Sequence, residues 1–139
     1  MQRKIGKEIR EIQQLLHQKM EQFKAQTGIE LTYIQSRVIK YVSSQQITFQ
    51  KDIEKEFKIR RSTATQILQV LERDGFIERE SVDQDARLKK IILTEKSAQL
   101  QGQIESNINA MEKLLRKDIS EENLTVFFAV IDQIKKNIE

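Results

Sequence analysis

Two short amphipathic segments separated by three residues sit in the middle of the chain. Phe49, Ile53 and Phe57 recur at i, i+4 spacing, which predicts a helix over 49–57 with Thr48 as its N-cap. Lys58, Ile59 and Arg60 interrupt the pattern. Ala64, Ile67, Leu68 and Leu71 then define the buried face of a second helix over 61–73. Asp74-Gly75 is its stop signal, with Gly75 suited to the left-handed C′ conformation. Two short amphipathic helices joined by so tight a turn make a helix-turn-helix. Beyond Gly75 the periodicity changes: 76–82 and 88–93 are β-capable runs around the polar loop 83–87, which reads as a short hairpin.

Apolar residues three and four apart occupy both flanks. Ile5, Ile9, Ile12, Leu16, Met20 and Phe23 form one stripe on a helix over 3–26, ended by Thr27-Gly28. Ile34, Val38, Tyr41 and Val42 mark a helix over 32–44 with Thr32 as N-cap. After Thr94, Ile104, Ile108, Met111 and Leu115 define a long fifth helix that breaks near Lys117-Asp118. Ser120 caps a sixth, whose stripe is Leu124, Phe127, Phe128, Ile131, Ile134 and Ile138. The expected class is α+β, mostly α. Composition narrows the functions open to it. Without cysteine there is no disulfide, thiolate metal site or thiol redox sensor, and the single histidine, His17, gives a histidine metal cluster nothing to build on. Zero prolines and four glycines argue against a Pro-rich linker or a phosphate-cradling glycine loop. No nucleophile, base and orienting group fall together, so no enzyme, cofactor or metal is expected. No apolar run approaches the roughly 18–20 residues of a membrane span, and no apolar segment follows the basic N-terminus. A cytoplasmic protein with no membrane partner is the expectation.

The net charge of +3 is modest, but its placement points to a polyanion. From Phe57 to Leu71 the chain holds Lys58, Arg60 and Arg61 with no acid, and from Ala86 to Thr94 it holds Arg87, Lys89 and Lys90, again with none. With Ala64, Ile67, Leu68 and Leu71 inward, the helical wheel turns Ser62, Thr65, Gln66 and Gln69 outward, with Arg61 at the start. These side chains suit base edges: Arg for guanine, Gln for adenine, Ser and Thr for either or for phosphate. An ordinary solvated helix would show Glu and Lys there. The hairpin tip, Arg87 with Lys89 and Lys90 behind it, can reach phosphates or a narrow minor groove, and Asp85 can orient Arg87. Attached to a helix-turn-helix, this hairpin becomes a wing.

The run Leu71-Glu72-Arg73-Asp74-Gly75-Phe76-Ile77-Glu78-Arg79, then Asp85-Ala86-Arg87, then Leu93-Thr94-Glu95-Lys96 resembles the multiple antibiotic resistance regulator (MarR) family, and the order of elements matches along essentially the whole chain. The resemblance implies a winged helix-turn-helix with N- and C-terminal dimerisation helices. It places Arg61, Ser62, Thr63, Thr65 and Gln66 where members contact DNA, Arg87 on the wing arginine of the minor groove, and Asp85 on its orienting partner. Two positions depart from the family pattern. Arg60 stands where a Ser, Asn or Asp usually caps the recognition helix, so the cap is lost or moves to Ser62, and Arg60 is available to a phosphate. Ser97 stands where glycine usually follows Leu-Thr.

The terminal stripes exceed what one protomer of this size obviously buries. Packing on a symmetry mate solves this, and the expected dimer residues are Ile5, Ile9, Ile12, Leu16, Phe127, Ile131, Ile134 and Ile138. The domain reading is 1–31 and 94–139 for dimerisation and 32–93 for DNA. The whole then reads as a homodimeric, sequence-specific regulator of double-stranded DNA, most often a repressor. The family resemblance also implies small aromatic or phenolic effectors. Tyr33, Tyr41, Arg37, His17 and Arg10 lie on helices that would line such a cleft, although packing or a solvated position accounts for each. The alternative is a winged-helix protein-interaction module without DNA binding.

Overall fold

The computed structural model describes residues 2–82 and 85–139, and of Asp85 and Ala86 the backbone alone. The elements run α1 (Ile5–Thr27), α2 (Tyr33–Ser44), α3 (Gln50–Phe57), α4 (Arg61–Arg73), β1 (Ile77–Val82), β2 (Asp85–Leu93), α5 (Glu95–Arg116) and α6 (Glu121–Ile138). They form two compact units, Met1–Ile108 and Asn109–Glu139. No helix among the described residues is long and apolar enough to cross a membrane.

Element ends follow local chemistry at most positions. Gly28, at φ 74°, closes α1 by donating its N–H to the Lys24 carbonyl. Thr32 opens α2 with a reciprocal box: its Oγ1 accepts from the Gln35 N–H at 3.2 Å, and its own N–H donates to Gln35 Oε1 at 2.9 Å. Gly75, at φ 82°, completes a Schellman motif, with the Phe76 N–H on the Leu71 carbonyl and the Gly75 N–H on that of Glu72. Leu71 and Phe76, both buried, supply the accompanying apolar contact. In the second unit Ser120 caps α6 through the Asn123 N–H, and Glu121 and Glu122 face its positive end.

Two expectations required correction. Thr48 does not cap α3. Its carbonyl accepts from the Ile91 N–H at 2.7 Å, and Phe49 bridges Lys90, so this stretch is an extended ribbon along β2. The helix therefore starts one residue later, where Asp52 Oδ2 accepts the Phe49 N–H at 2.8 Å. Nor does β2 wait until Leu88: it begins at Asp85. Ile77 pairs with Leu93 and Ser81 with Lys89 in one antiparallel register, but Val82 pairs with Asp85, so three residues, Ala86, Arg87 and Leu88, bulge from the ladder. A bulge re-aims side chains and tightens the local twist.

The core of the first unit gathers Leu31, Val38, Ile39, Ile53, Ala64, Leu68, Leu71, Ile77, Ile91 and Ile104 around the α3–α4 pair and the hairpin base. The Gly75 turn is tied to the start of α5. Thr94 Oγ1 donates to the Gly75 carbonyl at 2.6 Å, and Lys96 Nζ donates to that of Asp74 at 2.8 Å. Ser97, fully buried, donates its hydroxyl to the Phe76 carbonyl. A glycine there would leave out this bond, which explains the departure at Ser97: the hydroxyl fastens helix α5 to the root of the wing.

Candidate nucleic-acid interface

Helix α4 presents one face to solvent and the other to the core. Ala64, Leu68 and Leu71 are buried, Ile67 and Thr65 are half-buried, and Arg60, Arg61, Ser62, Thr63, Gln66 and Gln69 are exposed. Of the residues read from the helical wheel, Arg61, Ser62, Gln66 and Gln69 are exposed and Thr65 is not; Arg60 and Thr63 join them, and the face holds no acid before Glu72. Its side chains carry two guanidinium groups, two hydroxyls and two amides on less than three helical turns.

The start of α4 is unusual for a soluble helix. Arg60 takes the extended N-cap conformation, φ −72° and ψ 156°, its side chain makes no cap hydrogen bond, and no acid lies in the first turn. Ser62 falls inside the helix, so the cap is lost and not shifted. Uncapped N–H groups and the positive end of the helix dipole then share a surface with Arg60 and Arg61. That arrangement costs stability in isolation and suits a phosphate. Replacing Arg60 by Ser restores a cap and removes a cation. Thermal unfolding should show a gain of about 1 kcal/mol, while filter binding to duplex DNA should show weaker affinity and a salt slope lower by about one. Stability and affinity moving together would contradict this account.

On the wing, Arg87 and Lys89 are exposed and Lys90 is half-buried, its Nζ 3.8 Å from Glu80 Oε1 across the strand pair. Arg87 sits in the bulge, off the regular ladder. The Asp85 side chain, and with it the expected pairing to Arg87, lies outside the described residues.

Sequence reasoning gave no role to Gln50 and used Arg79 only as part of the family motif, yet both meet α4. Gln50 Nε2 donates to Thr65 Oγ1 at 2.9 Å and to the Arg61 carbonyl at 3.4 Å, while Gln50 Oε1 accepts from Arg79 Nη1 at 3.4 Å. Arg79 Nε also lies 3.9 Å from Glu72 Oε1. Helix α3, helix α4 and strand β1 are thereby linked through one amide. The contacts span 15 and 29 residues of sequence, which no local pattern reveals.

Among the residues considered for an effector, Arg37 lies over the Tyr33 ring at 5.8 Å and Tyr41 packs edge-on against Phe57 at 6.0 Å. Partial burial, then the Glu56 and Asp52 carboxylates, push the Tyr41 phenol above its ordinary range, so it stays neutral. Arg10 and His17 line a surface concavity of about 460 Å³ with Gln13, Gln14 and Gln18, all on α1. Among the described residues no three metal-ligating side chains converge.

Comparison with known proteins agrees with this geometry. Residues 29–88 match the sequence model of the MarR family. The chain is similar to MepR of S. aureus, solved as a DNA complex, at 27 % identity and a TM-score of 0.86 over 99 % of this chain and 100 % of that one. A protein from Listeria monocytogenes complexed with 26mer DNA matches at 21 % identity and 0.78 over 99 % and 90 %. The transcription regulator MarR from Oenococcus oeni PSU-1 matches at 23 % and 0.77 over 96 % and 99 %. The latter two share the winged helix-turn-helix fold with this chain.

Proposed function

We propose that the chain is a member of the MarR family of transcription regulators, whose sequence model matches residues 29–88, and that it is a sequence-specific, double-stranded DNA-binding repressor acting in the cytoplasm as a homodimer. The observation that carries the reading is the exposed, acid-free face of α4, where Arg60, Arg61, Ser62, Thr63, Gln66 and Gln69 offer groups able to read bases or hold phosphates. In this reading α4 enters the major groove, and Arg87, raised on the bulge, enters the minor groove with Lys89 and Lys90 near the backbone. Residues 32–93 bind DNA, while 1–31 and 94–139 pair protomers. Apolar side chains left open to solvent support pairing: Ile5 is 60 % exposed, Ile9 42 % and Ile12 49 % on α1, and Phe127 49 % and Ile138 81 % on α6. Leu16, Ile131 and Ile134 are half-buried beside them.

Two recognition helices in a twofold dimer read a pseudo-palindrome with half-sites one turn, about 34 Å, apart. The effector that the family resemblance implies is a small aromatic or phenolic acid. Selecting bound duplexes from a random pool at two salt concentrations tests the reading. Enrichment of a pseudo-palindrome is the expected result, and no enrichment at either salt overturns it. Arg87→Ala should then weaken binding to the selected operator by about 1–3 kcal/mol and lower the salt slope by about one. Wild-type affinity in that variant would remove Arg87 from the interface.

A further inference from the structure

We propose that Gln50 and Arg79 fix Thr65 as a hydrogen-bond donor toward DNA, and thereby set which base each half-site carries opposite it. The inference rests on the reading of α4 as the recognition helix. A threonine inside a helix ordinarily turns its hydroxyl back onto the carbonyl four residues earlier. Thr27 donates to the Phe23 carbonyl at 2.7 Å and Thr125 to that of Glu121 at 3.0 Å. Thr65 does not follow them. The carbonyl it would use, that of Arg61, takes a hydrogen bond from Gln50 Nε2, and the same amide donates to Thr65 Oγ1.

The direction of this chain of bonds is set at its far end. A guanidinium only donates, so the atom of Gln50 facing Arg79 must be the carbonyl oxygen, Oε1. The amide nitrogen is then turned to α4, and Thr65 Oγ1 must accept. Its own proton has no acceptor among the described residues and remains for a partner outside the protein. Thr65 is half-buried beside the exposed Gln66 and Gln69, at the edge of the face assigned to the groove. A donor there selects a base that shows an acceptor in the major groove: guanine through O6 or N7, thymine through O4, adenine through N7. Gln50 and Arg79 are positioning residues in this scheme, and Thr65 is the contact.

Gln50→Glu reverses the polarity. The carboxylate still accepts from Arg79, but it now also accepts from Thr65, whose hydroxyl is left with lone pairs to present. The variant gives up the long 3.4 Å bond to the Arg61 carbonyl but should still fold, since its charge lies beside Arg79 and in the first turn of α3, where an anion is favoured; a thermal midpoint close to that of the wild-type protein checks this. Duplex selection is run on the wild-type protein, Gln50→Glu, Thr65→Val and Thr65→Ser. Thr65→Val should relax preference about tenfold at one base pair per half-site, and Thr65→Ser should keep it. Gln50→Glu should move preference at that same base pair toward a base showing an amino group, cytosine or adenine. If Thr65→Val and Gln50→Glu keep the wild-type preferences, change different base pairs, or weaken all sequences uniformly as a phosphate contact would, the inference is overturned. A wild-type protein that enriches no sequence overturns the proposed function first, and this inference with it.

Discussion

Phe127→Glu should convert the protein to a monomer at micromolar concentration, by sedimentation equilibrium, and lower operator affinity by at least about a hundredfold. Phe127 and Phe128 lie with ring centroids 5.5 Å apart, and both are more than two-fifths exposed. Val126, Val130 and Ile138 extend the apolar surface of α6, and Arg116 stands over the Phe128 ring at 5.5 Å. A contiguous apolar surface of this kind marks an interaction site. In a twofold dimer every substitution occurs twice, and a carboxylate buried among aromatic and aliphatic groups without a partner costs several kcal/mol. The effect on DNA follows from linkage. Once one α4 is seated, the second acts at an effective concentration near millimolar, which raises affinity by about 10²–10⁴ without any new contact. A monomer forfeits that gain while each half-site contact survives. A variant that stays dimeric and binds normally would move the interface to other residues. A monomer that keeps full affinity would remove dimeric recognition altogether.

What the sequence revealed, and what it hid, divides along the range of the interactions involved. The three-residue joint between α3 and α4, the left-handed Gly75 and the Ser120 cap are decided within a few residues, and residue type announces them. The start of α3 was misread because Thr48 looks like a cap locally, while its backbone is claimed by Ile91, far along the chain. The start of β2 was missed for a related reason: a bulge of three residues has no signature in alternation of polar and apolar side chains. On α2 the predicted stripe left out Ile39, which is as fully buried as Val38, while Tyr41 is only half-buried against the core. Arg61, Ser62, Gln66 and Gln69 on the exposed face of α4 were legible from helical periodicity alone, whereas Thr65, placed with them, is half-buried. The Gln50 amide that organises Thr65 was not, since nothing in the local pattern links positions that meet only when α3, α4 and β1 pack. Ser97 read as a departure from the family, and only its bond to the Phe76 carbonyl explains why a hydroxyl stands there.

Leu68→Ala should cost about 2–5 kcal/mol of unfolding free energy, the range for a fully buried leucine, and lower the thermal midpoint by roughly 7–17 °C in a chain of this size. Leu68 is 0 % exposed and lies in the cluster with Ile53, Ala64 and Leu71. The loss is a large share of the ~5–15 kcal/mol by which domains are usually stable. At a temperature where the variant is still folded, its selected operator should match that of the wild-type protein, because Leu68 touches no groove. Gln66→Ala, two residues away on the opposite face, should do the reverse: stability within about 0.5 kcal/mol of wild type, with operator affinity reduced by about 1–3 kcal/mol. The pair separates the two faces of one helix by measurement. Should Gln66→Ala destabilise the fold as Leu68→Ala does, the outward face would be a packing surface, and the chain would need a protein partner there in place of DNA. Should Leu68→Ala alter the selected sequence, the core would be setting the pitch of α4 in the groove, and recognition would depend on packing beneath the helix as much as on the side chains above it.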